Sequence, residues 1–259
     1  ATGSPADALA AAIAAIAAGV THTGSAPIDA DAIRAIVAEE IARLDLVRTV
    51  QIAHAHNAAI PADPVNVGQA HEQFPALLAM CNARDKDGHR LNIWMPGPVG
   101  SGKTSAAKQA AKALGLECAE KGVTLDAYEL FGFRDAKGDY VRTPFRDLYE
   151  NGGIFVCDEC DGWGESATLA LNAALANGRA CFPDGMVDRH PDFICIATAN
   201  TFGTGPTAEF VGRNKLDDAF LDRFVLLPWA YDDALELSYS MHKDWTKTVQ
   251  RFRRAAESI

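Results

Sequence analysis

The sequence is short of basic residues, of internal repeats and of low-complexity linkers. Its 259 residues include 24 Lys and Arg against 34 Asp and Glu, so the formal net charge is -10. An acidic surface repels the phosphate backbone of nucleic acids and anionic membranes, which disfavours a protein that acts mainly by binding either of them. At 48% hydrophobic and 22% charged, the composition excludes a largely disordered chain and provides for a sizeable core.

Cysteines at a metal-binding spacing are also scarce. The six cysteines are scattered, and Cys157 and Cys160 form a C-x-x-C pair without a second pair at zinc-finger spacing. Cys157 ends an apolar run, so we predict buried reduced thiols rather than a zinc site, and a reducing cytoplasm as the compartment. His54 and His56 share the face of a predicted strand, but no further ligand pattern stands near them, so no metal is expected there.

No stretch is long and apolar enough to span a membrane. Residues 6–20 are apolar, but they are mostly alanine, Asp7 interrupts the approach, and no basic segment precedes them. Apolar residues at helical spacing instead predict an amphipathic helix there and a second helix from about Asp31. We therefore assign 1–47 to an N-terminal helical arm, which packs either on the rest of the chain or on a neighbouring subunit.

A glycine-rich loop offers a site for phosphate. The sequence "GPVGSGKT" (97–104) follows a short apolar run predicted as a strand (90–96) and precedes an alanine-rich predicted helix (105–116), which is the context that G-x-x-x-x-G-K-[ST] requires. The loop's N–H groups and the helix N-terminus would face phosphate oxygens. Lys103 would reach the β- and γ-phosphates, and the Thr104 hydroxyl would bind Mg²⁺. The predicted nucleotide-binding residues are Gly97, Pro98, Val99, Gly100, Ser101, Gly102, Lys103, Thr104 and Ser105.

Two acidic residues follow a second apolar run. In "GGIFVCDECDGW" (152–163) the run reads as a buried parallel strand, and its carboxyl end is where ligands bind in open α/β sheets. Asp158 is predicted to hold Mg²⁺, and Glu159 to polarise the attacking water. The alternative for Glu159 is the N-cap of the predicted helix at 164–178.

Polar residues flank two further predicted strands. Asn200 closes the apolar run within 191–203, where its amide would hydrogen-bond a water or a γ-phosphate, unless it is a turn asparagine. In 214–229 a short amphipathic helix leads through Arg223 into the strand "FVLLPW". Arg223 would either make a salt bridge within its own chain or reach the γ-phosphate of another subunit.

The order of "GPVGSGKT", "IFVCDE", "IATAN" and "LDDAFLDRF" resembles that of AAA+ ATPases, in the MoxR/dynein-related branch, over roughly 70–232. The resemblance implies an α/β P-loop NTPase fold, with a five-stranded parallel sheet sandwiched by helices and a small helical lid. It also implies Walker A at 97–104, Walker B at Asp158 and Glu159, sensor 1 at Asn200 and an arginine finger at Arg223. Arg213 is a second candidate for an arginine that acts in trans.

Two turn-containing stretches match the same branch. The first, 130–153, has a predicted hairpin turn at 135–138 and resembles the helix-2 insert. The second, 176–193, has a turn at 183–185 and resembles the pre-sensor-1 hairpin. In that branch both point towards the central pore of a ring, whereas the alternative is a pair of ordinary surface hairpins.

The C-terminal stretch departs from the family pattern. We assign 48–229 to the AAA+ core and 230–259 to a short or truncated helical lid of one or two helices, without a convincing sensor-2 arginine. Arg251, Arg253 and Arg254 form a basic patch, which we expect to be a solvated helix face rather than a nucleic-acid site.

The resemblance implies an ATPase that uses ATP and Mg²⁺, assembles into a homo-oligomer, a hexameric ring or spiral, and remodels a protein substrate or adaptor in the cytoplasm. ATP rather than GTP follows from the family alone. Three alternatives stay open: a nucleic-acid motor, which the acidic total disfavours; an ATP-switched scaffold with little turnover; and a small-molecule kinase, against which the Asp158–Glu159 pair argues. No membrane partner is expected.

Overall fold

The computed structural model describes residues 67–257. The predicted helical arm, the strand at 48–57 and the His54–His56 pair lie outside these residues. Val67 and Gly68, which end the predicted strand within 61–68, are not in a strand. Within the described part of the chain, no helix is both long and apolar enough to cross a bilayer.

Eight α-helices and nine strands are described between residues 67 and 257. The strands are β1 (Ile93–Pro96), β2 (Cys118–Lys121), β3 (Phe133–Arg134), β4 (Tyr140–Val141), β5 (Gly153–Cys157), β6 (Arg179–Phe182), β7 (Gly185–Asp188), β8 (Phe193–Ala199) and β9 (Val225–Leu226). The helices are α1 (Phe74–Asn82), α2 (Lys103–Leu114), α3 (Tyr128–Phe131), α4 (Pro144–Asn151), α5 (Glu165–Asn177), α6 (Asp218–Leu221), α7 (Asp233–Tyr239) and α8 (Lys243–Glu257).

The main sheet has five parallel strands in the order β2-β5-β8-β1-β9. Strands β1, β5 and β8 are buried along their whole length, as their continuous apolar runs predict for strands covered on both faces. Alternate residues of β5 enter different cores: Ile154 packs with the side chains of α1 and α2, and Phe155 packs with those of α4 and α5. The sheet therefore lies between two helical layers, and the predicted α/β fold is confirmed.

The last strand is shorter than "FVLLPW" predicts, although its hydrogen bonding continues. The N–H groups of Val225, Leu227 and Trp229 each donate to a β1-side carbonyl at 2.8 Å. Pro228 occupies an alternate position, where the missing N–H would point away from the sheet. This arrangement carries the chain past the end of β1 and brings Trp229 beside the glycine-rich loop.

Both predicted hairpins are present as antiparallel pairs. Strands β3 and β4 pair in one, and β6 and β7 pair in the other. The first exposes Phe133 and the second exposes Met186, with 47% and 55% of each residue's surface accessible to solvent. Arg134 Nη2 of the first hairpin donates to the Pro183 carbonyl of the second at 2.7 Å, so the two hairpins are linked within one chain.

The C-terminal segment forms two helices, α7 and α8, held together by charge. Arg253 pairs with Glu236 at 3.0 Å and stacks 3.6 Å from the Tyr231 ring centroid. Arg254 pairs with Asp233 at 3.1 Å. The expectation of a solvated basic face is therefore wrong for Arg253, which fixes α8 against α7 and the segment before it.

The cysteine pair is buried, as predicted. Cys157 and Cys160 are free thiols, and Cys157 Sγ lies 3.5 Å from the Sγ of Cys195 on the neighbouring strand. Burial raises the pKa of Cys157 well above its usual value. Cys118 and Cys181 are exposed and free. Across the described residues, no three His, Cys, Asp or Glu side chains converge as a metal site would require.

Candidate nucleotide site

The glycine-rich loop joins β1 to α2 and folds around the amine of Lys103. Gly100 and Gly102 have φ of 77° and 85°, a region that glycine adopts without the strain of a Cβ. The buried Lys103 Nζ donates to the carbonyls of Gly97 and Pro98 at 2.7 and 2.8 Å. Burial lowers the pKa of Lys103, and the nearby Asp158 charge partly opposes that shift. The amine is thus held inside the loop by neutral acceptors.

Gly97 packs against the backbone that follows β9. A Cβ at this position would lie 1.9 Å from the Trp229 carbonyl oxygen, and neither backbone can yield easily. We expect Gly97→Ala to lower the free energy of unfolding by about 1–3 kcal/mol through overpacking, measured by denaturant unfolding. Gly122→Ala is the control, because a Cβ there meets open space. Equal stability of the two variants would contradict this account of the close approach.

Asp158 follows β5 and collects two hydroxyls. Its Oδ1 accepts from Thr104 Oγ1 at 2.8 Å and from Thr198 Oγ1 at 2.6 Å. Hydroxyl and carboxylate oxygens are hard ligands that suit Mg²⁺, so the Thr104–Asp158 pair fits the predicted metal site by its chemistry. The sequence prediction did not single out Thr198. The available signal was a threonine near the end of an otherwise apolar strand.

Glu159 has an unusual backbone and a charged neighbour. Its φ is 50°, the one positive value at a non-glycine residue among those described. The alternative role as a helix cap is wrong, because α5 begins at Glu165 after Gly164, and within the described chain the Glu159 side chain makes no capping hydrogen bond. Instead its Oε2 lies 3.1 Å from Arg213 Nη2.

Asn200 follows β8 and turns its amide towards the loop. Its Oδ1 accepts from Lys103 Nζ at 3.3 Å. Its Nδ2 is buried, and no acceptor in the described part of the chain satisfies it. A buried amide donor without a partner fits an oxygen of a bound phosphate or water. Asn200 lines a cavity of about 330 Å³ together with Lys103, Thr104, Asp158 and Glu159.

The two candidate arginines lie in different surroundings. Arg223 is exposed, its Nε donates to the Ala219 carbonyl at 3.1 Å, and it does not line the cavities described in this subsection. Arg213 is mostly buried and contacts Glu159 of its own chain. The expectation that Arg213 acts in trans therefore disagrees with its position here.

A second cavity, of about 390 Å³, also borders the loop and was not predicted. It is bounded by Gly100 to Gly102 of the loop, by His71 and by Tyr231, with Leu235 and Glu236 of α7 behind them. The His71 ring stacks on Trp229 with centroids 4.2 Å apart. Among the residues described, no arginine of α7 or α8 lines this cavity. Its walls come from segments more than 150 residues apart in sequence, joined for example by the bond between His71 and the Ala230 carbonyl.

Comparisons with known proteins identify the family of the chain. No curated protein matches the chain. A crystal structure of a candidate ATPase from Cytophaga hutchinsonii is similar at 22% identity and a TM-score of 0.48, over 65% of this chain and 49% of that one, so the chain spans about half the length of that protein. The AAA domain family (dynein-related subfamily) matches residues 92–224, slightly more than half of the chain. That match begins before the glycine-rich loop and ends after Arg223, and the chain therefore belongs to this AAA family.

Proposed function

We propose that the chain binds Mg-ATP at the loop 97–104, with the phosphates in the cavity of about 330 Å³ and the base and ribose in the cavity of about 390 Å³. The observation that carries the proposal is the convergence of Lys103, Thr104, Asp158 and Asn200 at one edge of the sheet. Lys103 and Thr104 begin the helix after β1, whereas Asp158 follows β5 and Asn200 follows β8, so the parallel pairing of these three strands brings the four residues together.

Each residue has a distinct role in this proposal. Lys103 exchanges its carbonyl acceptors for β- and γ-phosphate oxygens, and Thr104 and Asp158 hold Mg²⁺. When bound, Mg²⁺ neutralises charge on the phosphates. Glu159 takes a proton from the attacking water, and Asn200 donates its free Nδ2 hydrogens to that water or to the γ-phosphate.

We further infer that the chain works in a homo-oligomeric ring or spiral on a protein partner. Arg223 is exposed and lines neither of the two cavities described above, which supports a role towards a neighbouring subunit. Exposed apolar side chains on the hairpins, Phe133, Val141 and Met186, support contact with a polypeptide. The free exposed thiols Cys118 and Cys181 support a cytoplasmic location. The net charge of -10 favours a protein over a nucleic acid as the partner. DNA binding that weakens steeply as the salt concentration rises would reverse that preference.

The experiment that tests the chemistry replaces the two acids after β5. Glu159→Gln keeps the shape of the side chain but loses its basicity, so phosphate release should fall by roughly 10²-fold or more while ATP still binds. Asp158→Asn should instead raise the Mg²⁺ concentration needed for half-maximal rate. Both effects are measured by steady-state phosphate release and nucleotide titration.

Glu165→Gln is the matched control, since Glu165 is an exposed acid in the first turn of α5. It should retain the native rate. If Glu159→Gln also retains that rate, Glu159 is not the base. If the wild-type chain binds ATP but releases no phosphate at any protein concentration, the ATP-switched scaffold replaces the remodelling enzyme.

A further inference from the structure

The guanidinium of Arg213 bridges two acids that lie two positions apart. Its Nη2 is 3.1 Å from Glu159 Oε2, and its Nη1 is 3.5 Å from Asp161 Oδ1. The Arg213 side chain is 15% exposed, whereas that of Glu159 is 46% exposed. One end of this three-residue cluster is therefore open to the phosphate cavity that Glu159 lines, and the other end is closed.

Asp161 forms the closed end and is tied to the strand that carries Asn200. It is fully buried, and its Oδ2 accepts from the backbone N–H groups of Asn200 and Thr201 at 3.1 and 2.9 Å and from Thr201 Oγ1 at 2.9 Å. Its carbonyl accepts from Asn214 N–H at 2.7 Å, which fixes the chain next to Arg213. Asp161 is thus a rigid anchor for the guanidinium.

Gly162 provides the space that the guanidinium occupies. A Cβ on Gly162 would lie 2.8 Å from Arg213 Nη1. The backbone of Gly162 is outside the positive-φ region, so alanine is compatible with its conformation. Glycine is needed at position 162 because the guanidinium occupies the space that a side chain would fill.

We propose that Arg213 is a positioning residue for ATP hydrolysis in its own subunit, holding one carboxylate oxygen of Glu159 so that the other faces the attacking water. The inference rests on the proposed role of Glu159 as base. A glutamate this exposed samples several rotamers unless it is anchored, and small misplacements of a reacting group are costly in rate. Because Asp161 also balances the positive charge of the guanidinium, the contact with Arg213 does not cancel the negative charge of Glu159.

The same contacts argue against a role for Arg213 in a neighbouring subunit. To reach outward, the guanidinium would leave both Glu159 and Asp161. Asp161 would then be a buried carboxylate without a cationic partner, which is strongly unfavourable. Arg223, which is exposed and bound to a single backbone carbonyl in the described structure, has no such restraint.

The central test is Arg213→Gln. We expect kcat for ATP hydrolysis to fall about 10- to 100-fold, with KM and the calorimetric Kd for ATP unchanged within about twofold, because Arg213 does not line the nucleotide cavities. Arg84→Gln is the control: it removes an arginine paired with Asp192 at the opposite edge of the sheet, at 2.6 Å, and should keep the native kcat.

Gly162→Ala tests position separately from charge. It should displace the guanidinium without removing any ionisable group, and it should lower kcat as Arg213→Gln does. Thermal unfolding of both variants identifies loss of folding, so a folded Gly162→Ala still decides the question if Arg213→Gln is unstable. In the double variant Glu159→Gln/Arg213→Gln, the rate should not fall below that of Glu159→Gln alone.

Three results would overturn the proposal. The first is an unchanged kcat in both Arg213→Gln and Gly162→Ala, and the second is a raised kcat, which would mean that the Arg213–Glu159 contact inhibits hydrolysis. The third is recovery of turnover when Arg213→Gln is mixed with Lys103→Ala. The last result would place Arg213 in trans, because the Lys103→Ala subunit supplies an intact Arg213 from outside. Failure of the proposed function gives a different pattern, in which Glu159→Gln itself keeps the native rate.

Discussion

Replacing Arg223 with alanine is expected to reduce ATP turnover by about 10³-fold while leaving ATP affinity unchanged. The side chain is exposed beyond α6, and in the described structure it does not reach either cavity of its own chain. A guanidinium from a neighbouring subunit stabilises the charge that develops on the γ-phosphate in the transition state. An isolated subunit should therefore be a poor ATPase, and activity per subunit should rise with protein concentration.

Mixing variants distinguishes this role from a structural one. Arg223→Ala has an intact ATP site, and Lys103→Ala has an intact Arg223, so a mixture should regain part of the turnover that each lacks. Arg251→Ala, which removes an exposed arginine from α8, is the control and should keep the native rate. Activity that is independent of concentration, together with no recovery in the mixture, would exclude Arg223 as a residue acting between subunits.

Lys103→Ala is expected to weaken ATP binding by about 10³-fold, since two charge-assisted hydrogen bonds to phosphate are lost at roughly 1.5–3 kcal/mol each. In the structure the same amine donates to the carbonyls of Gly97 and Pro98, so the variant also loses these contacts within the loop. Isothermal titration calorimetry with Mg-ATP measures the affinity.

Lys108→Ala is the matched control for this prediction. Lys108 lies on the same helix, α2, but pairs with Glu120 on the surface at 2.8 Å. Its loss should leave the ATP affinity as it was. If Lys103→Ala binds ATP as tightly as Lys108→Ala does, the loop 97–104 is not the phosphate site.

The sequence predicts the sheet and much of the candidate site because both follow from local patterns. Apolar runs of β1, β5 and β8 identify buried parallel strands, and the polar residues after them must meet at one edge. The location of Asp158 and Asn200 could therefore be predicted without knowledge of tertiary packing, and the structure places both beside Lys103. Their catalytic roles stay predictions that the variants above test.

The features that sequence reasoning missed depend on contacts between distant segments. Arg213 meets Glu159 across 54 positions, and the bond from His71 to Ala230 spans 159. No periodicity or motif encodes such a distance. The same reason explains Arg253, whose partner Glu236 is known only once α7 and α8 are packed together.

The link between the two hairpins has a mechanical consequence. Arg134 holds the Pro183 carbonyl at 2.7 Å, and Arg146 of α4 reaches Asp184 at 3.3 Å. These contacts link the two hairpins to each other and the second hairpin to α4. That helix is followed by Gly152 and then by β5, which begins at Gly153 and ends one residue before Asp158. Under the proposed function, a polypeptide that binds and displaces the hairpins would thereby act on Asp158 through one helix and one strand.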